Sequence, residues 1–272
     1  MQRGMDFFQK HAQQIGLVLG FFSLPYSYLG ADGAQVLWLT ERIKNDTARR
    51  LQETGEWVFA VNSPKEWKSG QALARILKIR LIHAGARWFS LHSKRWTMDW
   101  GYPVNQEDMA GTNIAFSYIV VLGLRKLAGV LTSRAATEQE EEDYLHHISV
   151  VNSVNGVVDA LLPQNLREAY LLHQVITRRQ FAPSEAGVGL TRSLLNAMAE
   201  LAQQAPAGFP GVRPPTMCGT SRLVKCVSFW AMPMPTGWVF PRCRLKNGWL
   251  GYSINGPFLK RFEVCRLRFV VG

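Results

Sequence analysis

Hydrophobic residues recur at helical spacing through the first three quarters of the chain, and this pattern predicts one helix after another. Between residues 42 and 61, the apolar positions Ile43, Leu51 and Val58 are typical of a helix with one buried side. The stretch AGTNIAFSYIVVLGL, residues 110–124, has almost no polar face and is predicted to lie at the centre of the core. No long segment alternates between apolar and polar residues as a half-buried strand would. The predicted fold class is therefore all-α.

Polar residues mark where several of these helices begin. Asn105 is predicted to cap a helix whose first turn carries Glu107 and Asp108. Thr137 and Glu140 have the spacing of a capping box. The acidic run that follows Thr137 is predicted to be the solvated first turn of that helix.

The segment KIRLIHAGAR, residues 78–87, places three nitrogen-bearing side chains on one side of an otherwise apolar helix. At roughly 100° per residue, Arg80 and Arg87 each fall within about 60° of His83. A helix that is apolar on nearly all sides is normally buried, so this helix is predicted to be buried as well. Its three polar side chains then need partners, because burying them without hydrogen bonds is costly.

Two interpretations of Arg80, His83 and Arg87 remain open at this point. In the structural one, His83 is a satisfied core histidine and the arginines pair with carboxylates such as Glu107 or Asp108. In the functional one, the three side chains line a cofactor pocket. Imidazole is the common proximal ligand of haem iron, and arginine suits anionic groups such as haem propionates or an oxygen-derived ligand.

The other histidines are expected to be structural. His146 and His147 lie on the acidic amphipathic helix and are predicted to be exposed or lightly packed. His173 is expected in the core or at its rim, and His92 is expected to close the helix that carries His83.

The charge of the chain is concentrated at its C-terminal end. The formal net charge is +11, yet residues 1–205 hold 21 Lys and Arg against 19 Asp and Glu. Residues 206–272 hold 10 Lys and Arg against a single acid, Glu263. A basic tail is a weaker sign of nucleic-acid binding than a basic face interleaved with aromatic residues. No nucleic-acid partner is expected, and a helical nucleic-acid binder that uses the tail is kept as an alternative.

The four cysteines, Cys218, Cys226, Cys243 and Cys265, all lie in the last quarter of the chain. None belongs to a CxxC pair, which argues against a zinc ribbon, and a disulfide framework is not expected in so long a chain. No Arg-rich start precedes a small-residue cleavage site, so the protein is expected to be cytoplasmic.

The stretch from Ala12 to Gly30 carries no charge and is close to the length of a bilayer span. It also contains Gln13, Gln14 and Pro25, so it is predicted to be a buried helix that ends near Pro25 and not a span. Shallow contact with a membrane surface remains an alternative.

Three stretches together resemble the latex-clearing protein (rubber oxygenase) family, whose catalytic domain the fungal mycophenolic-acid-pathway oxygenases share. They are RRLQETGEWV at residues 49–58, KIRLIHAGAR at residues 78–87, and GYPVNQEDMAGT from Gly101 onward. The resemblance spans about residues 20–205. It implies a globin-like helical bundle that holds one b-type haem in a buried pocket.

The resemblance also implies roles for single residues. His83 is the implied proximal ligand of the iron, with Arg80 and Arg87 tied to the propionates or to neighbouring acids. On the distal side, Arg50 and Thr54 match the family's arginine and threonine. Glu53 stands where the family has a lysine, and a carboxylate cannot act as that amine ligand. Glu53 is interpreted as a proton acceptor.

Beyond Pro206 the sequence loses any stable period, so two regions are predicted: a haem-binding, oxygenase-like helical domain at residues 1–205 and an atypical tail at residues 206–272. Reading the codons of residues 218–240 two bases later can give an amphipathic string that resembles the family's terminal helix. Compensating frameshifts around residues 217–243 are one hypothesis, and a divergent tail is the other.

The predicted function is that of a haem b-dependent oxygenase, an oxidoreductase that acts with dioxygen on an apolar, unsaturated small substrate. The alternatives are a non-catalytic or inactivated haem-binding protein and the nucleic-acid binder described above.

Overall fold

The computed structural model of the chain describes residues 1–40, 46–128 and 136–204, with side chains as far as residue 200, and the backbone of residues 244–245 and 248–249. The described chain is helical almost throughout, which confirms the all-α class. Its α-helices are α1 (Gln2–Val18), α2 (Leu24–Tyr28), α3 (Ala31–Leu39), α4 (Thr47–Val61), α5 (Pro64–Lys68), α6 (Gln71–His92), α7 (Gln106–Phe116), α8 (Tyr118–Leu127), α9 (Glu138–Asn155), α10 (Leu166–Gln180) and α11 (Glu185–Gln204).

Short elements connect some of these helices. A π-helical turn covers Leu19–Ser23, and 3-10 turns cover Met98–Trp100 and Asp159–Leu161. Near the C-terminus, β1 (Arg244–Leu245) pairs antiparallel with β2 (Gly248–Trp249). Among the residues described, none of the helices combines the length and the apolar content that crossing a bilayer would require.

The centre of the core is formed by α7 and α8, as their sequence predicts. Ile114, Val120 and Val121 are completely buried there. The stretch is two helices and not one, because Ser117 leaves the helical conformation (φ −113°, ψ −83°) and its hydroxyl donates to the carbonyl of Asn113 at 2.6 Å. A serine that hydrogen-bonds back to the preceding turn competes with regular helix geometry.

The two predicted caps are both present. Asn105 Oδ1 accepts from the backbone N–H of Asp108 at 3.0 Å, and Asp108 Oδ2 accepts from the N–H of Asn105 at 3.1 Å. Thr137 and Glu140 form the same reciprocal pair at the start of α9. These caps determine where α7 and α9 begin, and α7 and α9 both border the site described below.

The helix predicted to end near Pro25 does not end there. The π-helical turn after α1 leads directly into α2, where Pro25 lies in the first turn. Proline removes one backbone hydrogen bond of a helix, and it is tolerated here beside the π-helical turn, where the regular hydrogen-bond ladder is already interrupted. Tyr26 and Tyr28 of α2 are buried in the core.

The prediction that α6 is buried is wrong. Only Ala72, Ile76 and Ser90 of this helix are buried, on the stripe that packs against α4 and α9. Its other side is solvent-exposed, and we call the four most prominent exposed side chains there the outer face of α6. They are Leu77 (47% exposed), Leu81 (72%), Trp88 (56%) and Phe89 (67%).

Apart from the short strands β1 and β2, the predicted C-terminal tail lies outside the described residues, as do the four cysteines and residues 217–243 of the frameshift hypothesis. The division at residue 205 stays a prediction.

Candidate functional site

The inner stripe of α6 brings together Arg80, His83 and Arg87, as the helical spacing predicts. They line a cavity of about 390 Å³, within the ~300–1,000 Å³ range of typical ligand and cofactor pockets. The remaining walls come from the turn before α7, from α7 itself and from the end of α9. These wall residues are Val104, Asn105, Gln106, Met109, Asn155 and Gly156.

His83 is held neutral in this cavity and has no hydrogen-bond partner for one of its ring nitrogens. Burial, and after it the positive charges of Arg87 and Arg50, lower the pKa of His83 to about 4. Its Nδ1 atom is buried and unbonded. A neutral imidazole keeps one nitrogen lone pair available, which suits a metal ligand or a proton acceptor.

The two arginines of the cavity bind backbone carbonyls and a sulfur atom. Arg87 Nε donates to the carbonyl of Val104 at 2.9 Å, and its Nη2 donates to Met109 Sδ at 3.2 Å. Arg80 Nη1 donates to the carbonyl of Val154 at 3.4 Å. Neither guanidinium forms an ion pair with a carboxylate of the described residues, so both positive charges remain available to an anionic ligand.

The interpretation that Glu107 or Asp108 anchors these arginines is wrong. Glu107 accepts from Arg179 at 2.7 Å. Asp108 closes the capping box with Asn105, and burial raises its pKa to about 6. Neither acid forms an ion pair with Arg80 or Arg87 in the described part of the chain, although the positive charge of Arg87 acts to lower the pKa of Asp108.

The predicted distal residues lie on α4 and do not line this cavity. Arg50 comes closest, because its charge lowers the pKa of His83. Its guanidinium is 3.9 Å from the carboxylate of Glu53, which also accepts from Arg49 Nε at 3.2 Å. Thr54 Oγ1 donates to the carbonyl of Arg50 at 2.9 Å. The structure therefore joins Arg50 to the site electrostatically and leaves Glu53 and Thr54 in contacts within their own helix.

None of the six wall residues was predicted from the sequence as part of the site, and two of them, Asn155 and Val104, have unusual local features. Asn155 is buried with its side-chain Oδ1 unbonded. Its position before Gly156, which has φ 100°, signals a helix end, but nothing local indicates that this end meets α6. Val104 has φ 51°, a conformation that β-branched residues rarely adopt, and its carbonyl is the acceptor for Arg87. The turn that precedes the Asn105 cap is the one local feature that could have indicated a role for Val104.

The other histidines lie away from the cavity. His147 was expected to be exposed or lightly packed, but it is completely buried, and its Nε2 is 3.0 Å from the carbonyl of Val61. His173 is buried as expected and shares a 2.8 Å hydrogen bond with the hydroxyl of Tyr26. His92 is the last residue of α6. In the described part of the chain, no cluster of three or more His, Cys, Asp or Glu side chains could hold a metal ion.

Fold and site together define an all-α protein with a cationic pocket built around a neutral histidine. The model of the family "ER-bound oxygenase mpaB/B'/Rubber oxygenase, catalytic domain" matches residues 12–234, and the chain belongs to this family. The match extends past residue 205 into the predicted tail. The predicted membership and the predicted enzyme class, an oxidoreductase of the oxygenase type, are confirmed.

A solved structure supports the fold. The chain is similar to latex clearing protein LCP in the closed state, with a TM-score of 0.57 and 20% sequence identity, over 87% of this chain and 69% of that one. At this identity the likeness shows the helical fold alone. No curated protein sequence matches the chain.

Proposed function

We propose that this oxygenase uses haem b and acts with dioxygen on an apolar, unsaturated substrate. The observation that carries the proposal is the pairing of a neutral, unbonded His83 with two arginines that have no carboxylate partner, all in one cavity. A single imidazole is a common protein ligand of haem iron, so the site does not need a cluster of metal ligands.

The residues present fit this group. Haem b carries two carboxylates, and the guanidinium of arginine is well suited to bind carboxylates. Arg80 and Arg87 would hold the propionates, and His83 would bind the iron. When bound, haem would supply an iron centre that binds and activates dioxygen.

The low pKa of His83 prepares the site for this role. A protonated imidazole has no lone pair for a metal, and the folded protein keeps His83 deprotonated at neutral pH. The charge of Arg87, which helps to lower this pKa, is available to counter negative charge on ligands of the cavity, whereas that of Arg50 is shared with Glu53.

The predicted distal roles of Arg50, Thr54 and Glu53 are part of the proposal. Arg50 would orient an anionic or polar ligand near the cavity, and Thr54 would shape the pocket beside it. Glu53 would accept a proton in place of the amine that related proteins have. Since Glu53 now accepts from Arg49, this role requires the carboxylate to leave that ion pair. The cytoplasmic location also stays a prediction.

An absorption spectrum of the purified full-length protein tests the cofactor. A Soret band, with close to one haem per chain by the pyridine haemochrome assay, is expected. Oxygen consumption with an isoprenoid-like alkene then tests the reaction. If the protein binds haem but consumes no oxygen with any such alkene, the proposed cofactor would stand and the proposed substrate class would be contradicted. Protein that binds no haem would contradict the proposal itself.

A further inference from the structure

The outer face of α6 is an apolar surface with no partner among the described residues. Leu81, Phe89 and Trp88 are each more than half exposed, and Trp88 and Phe89 form an edge-on aromatic pair with centroids 5.0 Å apart. Contiguous apolar side chains at this level of exposure are uncommon on a monomer and mark a surface that binds something.

The outer face points away from the cavity. At roughly 100° per residue, Leu77, Trp88 and Leu81 fall about 120–160° from His83, and Phe89 falls about 120° away on the other side. The burial pattern agrees, because Ile76 on the inner stripe is fully buried while Leu81 is 72% exposed. A partner of the outer face would therefore not occupy the cavity.

The segment that contains this face is strongly basic, and its cationic side chains other than the cavity residues Arg80 and Arg87 are all exposed. Residues 64–96, which we call the basic segment, hold eight Lys and Arg against one acid, Glu66. The rest of residues 1–205 holds 13 Lys and Arg against 18 Asp and Glu. On α6 itself, Lys78 lies about 20° from Phe89 and about 60° from Leu81 around the helix. The basic segment thus carries +7 in a body whose remainder carries −5.

This charge selects among the possible occupants. A second copy of the chain would place one +7 segment against another across a symmetric interface, which costs free energy. The C-terminal tail, at +9, meets the same objection. An anionic lipid bilayer offers negatively charged headgroups outside and hydrocarbon beneath. It therefore matches both the basic and the apolar side chains of α6, a combination that is typical of helices at membrane interfaces.

We propose that the outer face of α6 docks on the surface of an anionic lipid bilayer. Leu77, Leu81, Trp88 and Phe89 enter the interface, and the exposed lysines of the basic segment contact the headgroups. Arg80 and Arg87 stay in the cavity. The proposal goes beyond the proposed function and does not depend on haem. Its consequence is that the protein binds at a membrane surface through the helix that carries His83, with His83 itself turned inward.

Vesicle flotation of the full-length protein tests this surface. Vesicles of phosphatidylcholine with roughly 30% phosphatidylserine should bind the protein at least about tenfold more strongly than vesicles of phosphatidylcholine alone, and high salt should reverse the difference. The triple variant Leu81→Ser, Trp88→Ser, Phe89→Ser should lose about tenfold or more of this binding. The double variant Lys68→Glu, Lys78→Glu should lose a similar amount.

A matched control comes from α10, where Tyr170, Leu171 and Val175 are also exposed, at 41%, 53% and 52%. Changing these three to serine should leave vesicle binding unaltered. Circular dichroism should show unchanged helix content in every variant, because all the altered side chains are on the surface.

Three results would overturn the proposal. In the first, the parent protein shows no preference for phosphatidylserine vesicles. In the second, the α6 variants bind these vesicles as well as the parent does, which would assign the binding to the basic tail. In the third, light scattering shows that the triple variant turns a dimer into a monomer while lipid binding is unchanged, which would identify a second copy of the chain as the occupant.

Discussion

Arg87 donates through Nε to the backbone carbonyl of Val104 at 2.9 Å, and this contact joins the helix of His83 to the turn that precedes α7. Val104 adopts a left-handed conformation that is unfavourable for a β-branched residue. The strain is tolerated where the surrounding structure over-determines the backbone, and such residues cluster at functional sites. The remaining N–H groups of Arg87 are left for a ligand of the cavity.

Replacing His83 with alanine should abolish haem retention and leave helix content nearly unchanged. The side chain is only partly buried and makes no hydrogen bond through Nδ1, so little of the fold depends on it. The pyridine haemochrome assay and circular dichroism measure the two effects. His92→Ala, at the end of the same helix, is the matched control and should keep full haem content. Full haem occupancy in His83→Ala would disprove the assignment of the ligand.

Arg87→Lys should weaken haem binding while keeping the positive charge. Lysine cannot reach both Val104 and Met109 or present a planar fork to a carboxylate. The loss of one charge-assisted hydrogen bond, about 1.5 kcal/mol, corresponds to roughly tenfold in affinity. Titration of the apoprotein with haem measures this change in affinity. Arg75→Lys on the same helix, outside the cavity, should bind like the parent, and an equal loss in both variants would mean that overall charge is responsible.

His147 should make the protein less stable as the pH falls below neutral. Burial lowers its pKa from 6.5 to about 4, so between these values the unfolded chain binds more protons than the folded one. The free energy of unfolding therefore rises with pH across this window, and the contribution is lost as the pH falls from about 6.5 to about 4. A shift of this size corresponds to on the order of 3 kcal/mol.

Urea unfolding at pH values from about 7 down to about 4.5 measures this slope. His147→Gln should reduce this slope without abolishing it, because the amide N–H can still donate to Val61 and does not titrate, whereas burial also lowers the pKa values of His83 and His173 to about 4. The exposed neighbour His146→Gln is the control and should leave the slope unchanged. Equal slopes in the parent and in His147→Gln would contradict the prediction.

Arg125→Met should destabilise the fold by about 1–3 kcal/mol. Arg125 binds the buried carboxylate of Glu141 in a bidentate pair, with Nε to Oε1 at 2.9 Å and Nη2 to Oε2 at 2.5 Å. The figure is below that of a fully buried pair because the Arg125 side chain is 49% exposed. Urea denaturation measures it. In a Glu141→Gln background the same change should cost clearly less, and an undiminished cost there would exclude the ion pair as the cause.

Gly123→Ala should destabilise the packing of α1 against α8 by about 1–3 kcal/mol. A Cβ atom at this position would lie 2.4 Å from Val18 Cγ1, so one of the two helices would have to move. Gly16→Ala in α1 is the matched control, because its added methyl group would meet no atom within 4 Å. That change should be neutral or stabilise the helix by up to about 1 kcal/mol. Thermal denaturation measures the stability of both variants. Equal stabilities would contradict the close packing of Gly123 against Val18.

Local signals in the sequence were sufficient for the all-α class and for the starts of α7 and α9, but not for the break at Ser117 or the helix that continues through Pro25. The caps at Asn105 and Thr137 depend on side chains within three residues of each other, so the structure reproduces both. The same holds for the stripe of Arg80, His83 and Arg87, because helical geometry alone places these residues on one side.

Only the tertiary structure decided what surrounds that stripe. Asn155 and Gly156 line the same cavity as His83 because α9 packs against α6, a contact between residues far apart in sequence that no local period encodes. The partners of the arginines are backbone carbonyls, which every residue has, and sequence identity therefore could not single out Val104 or Val154. Burial also depends on the neighbours of a helix and not on its own composition. The apolar sequence of α6 for that reason predicted a buried helix, whereas the fold leaves Leu81 exposed on one side and buries Ile76 on the other.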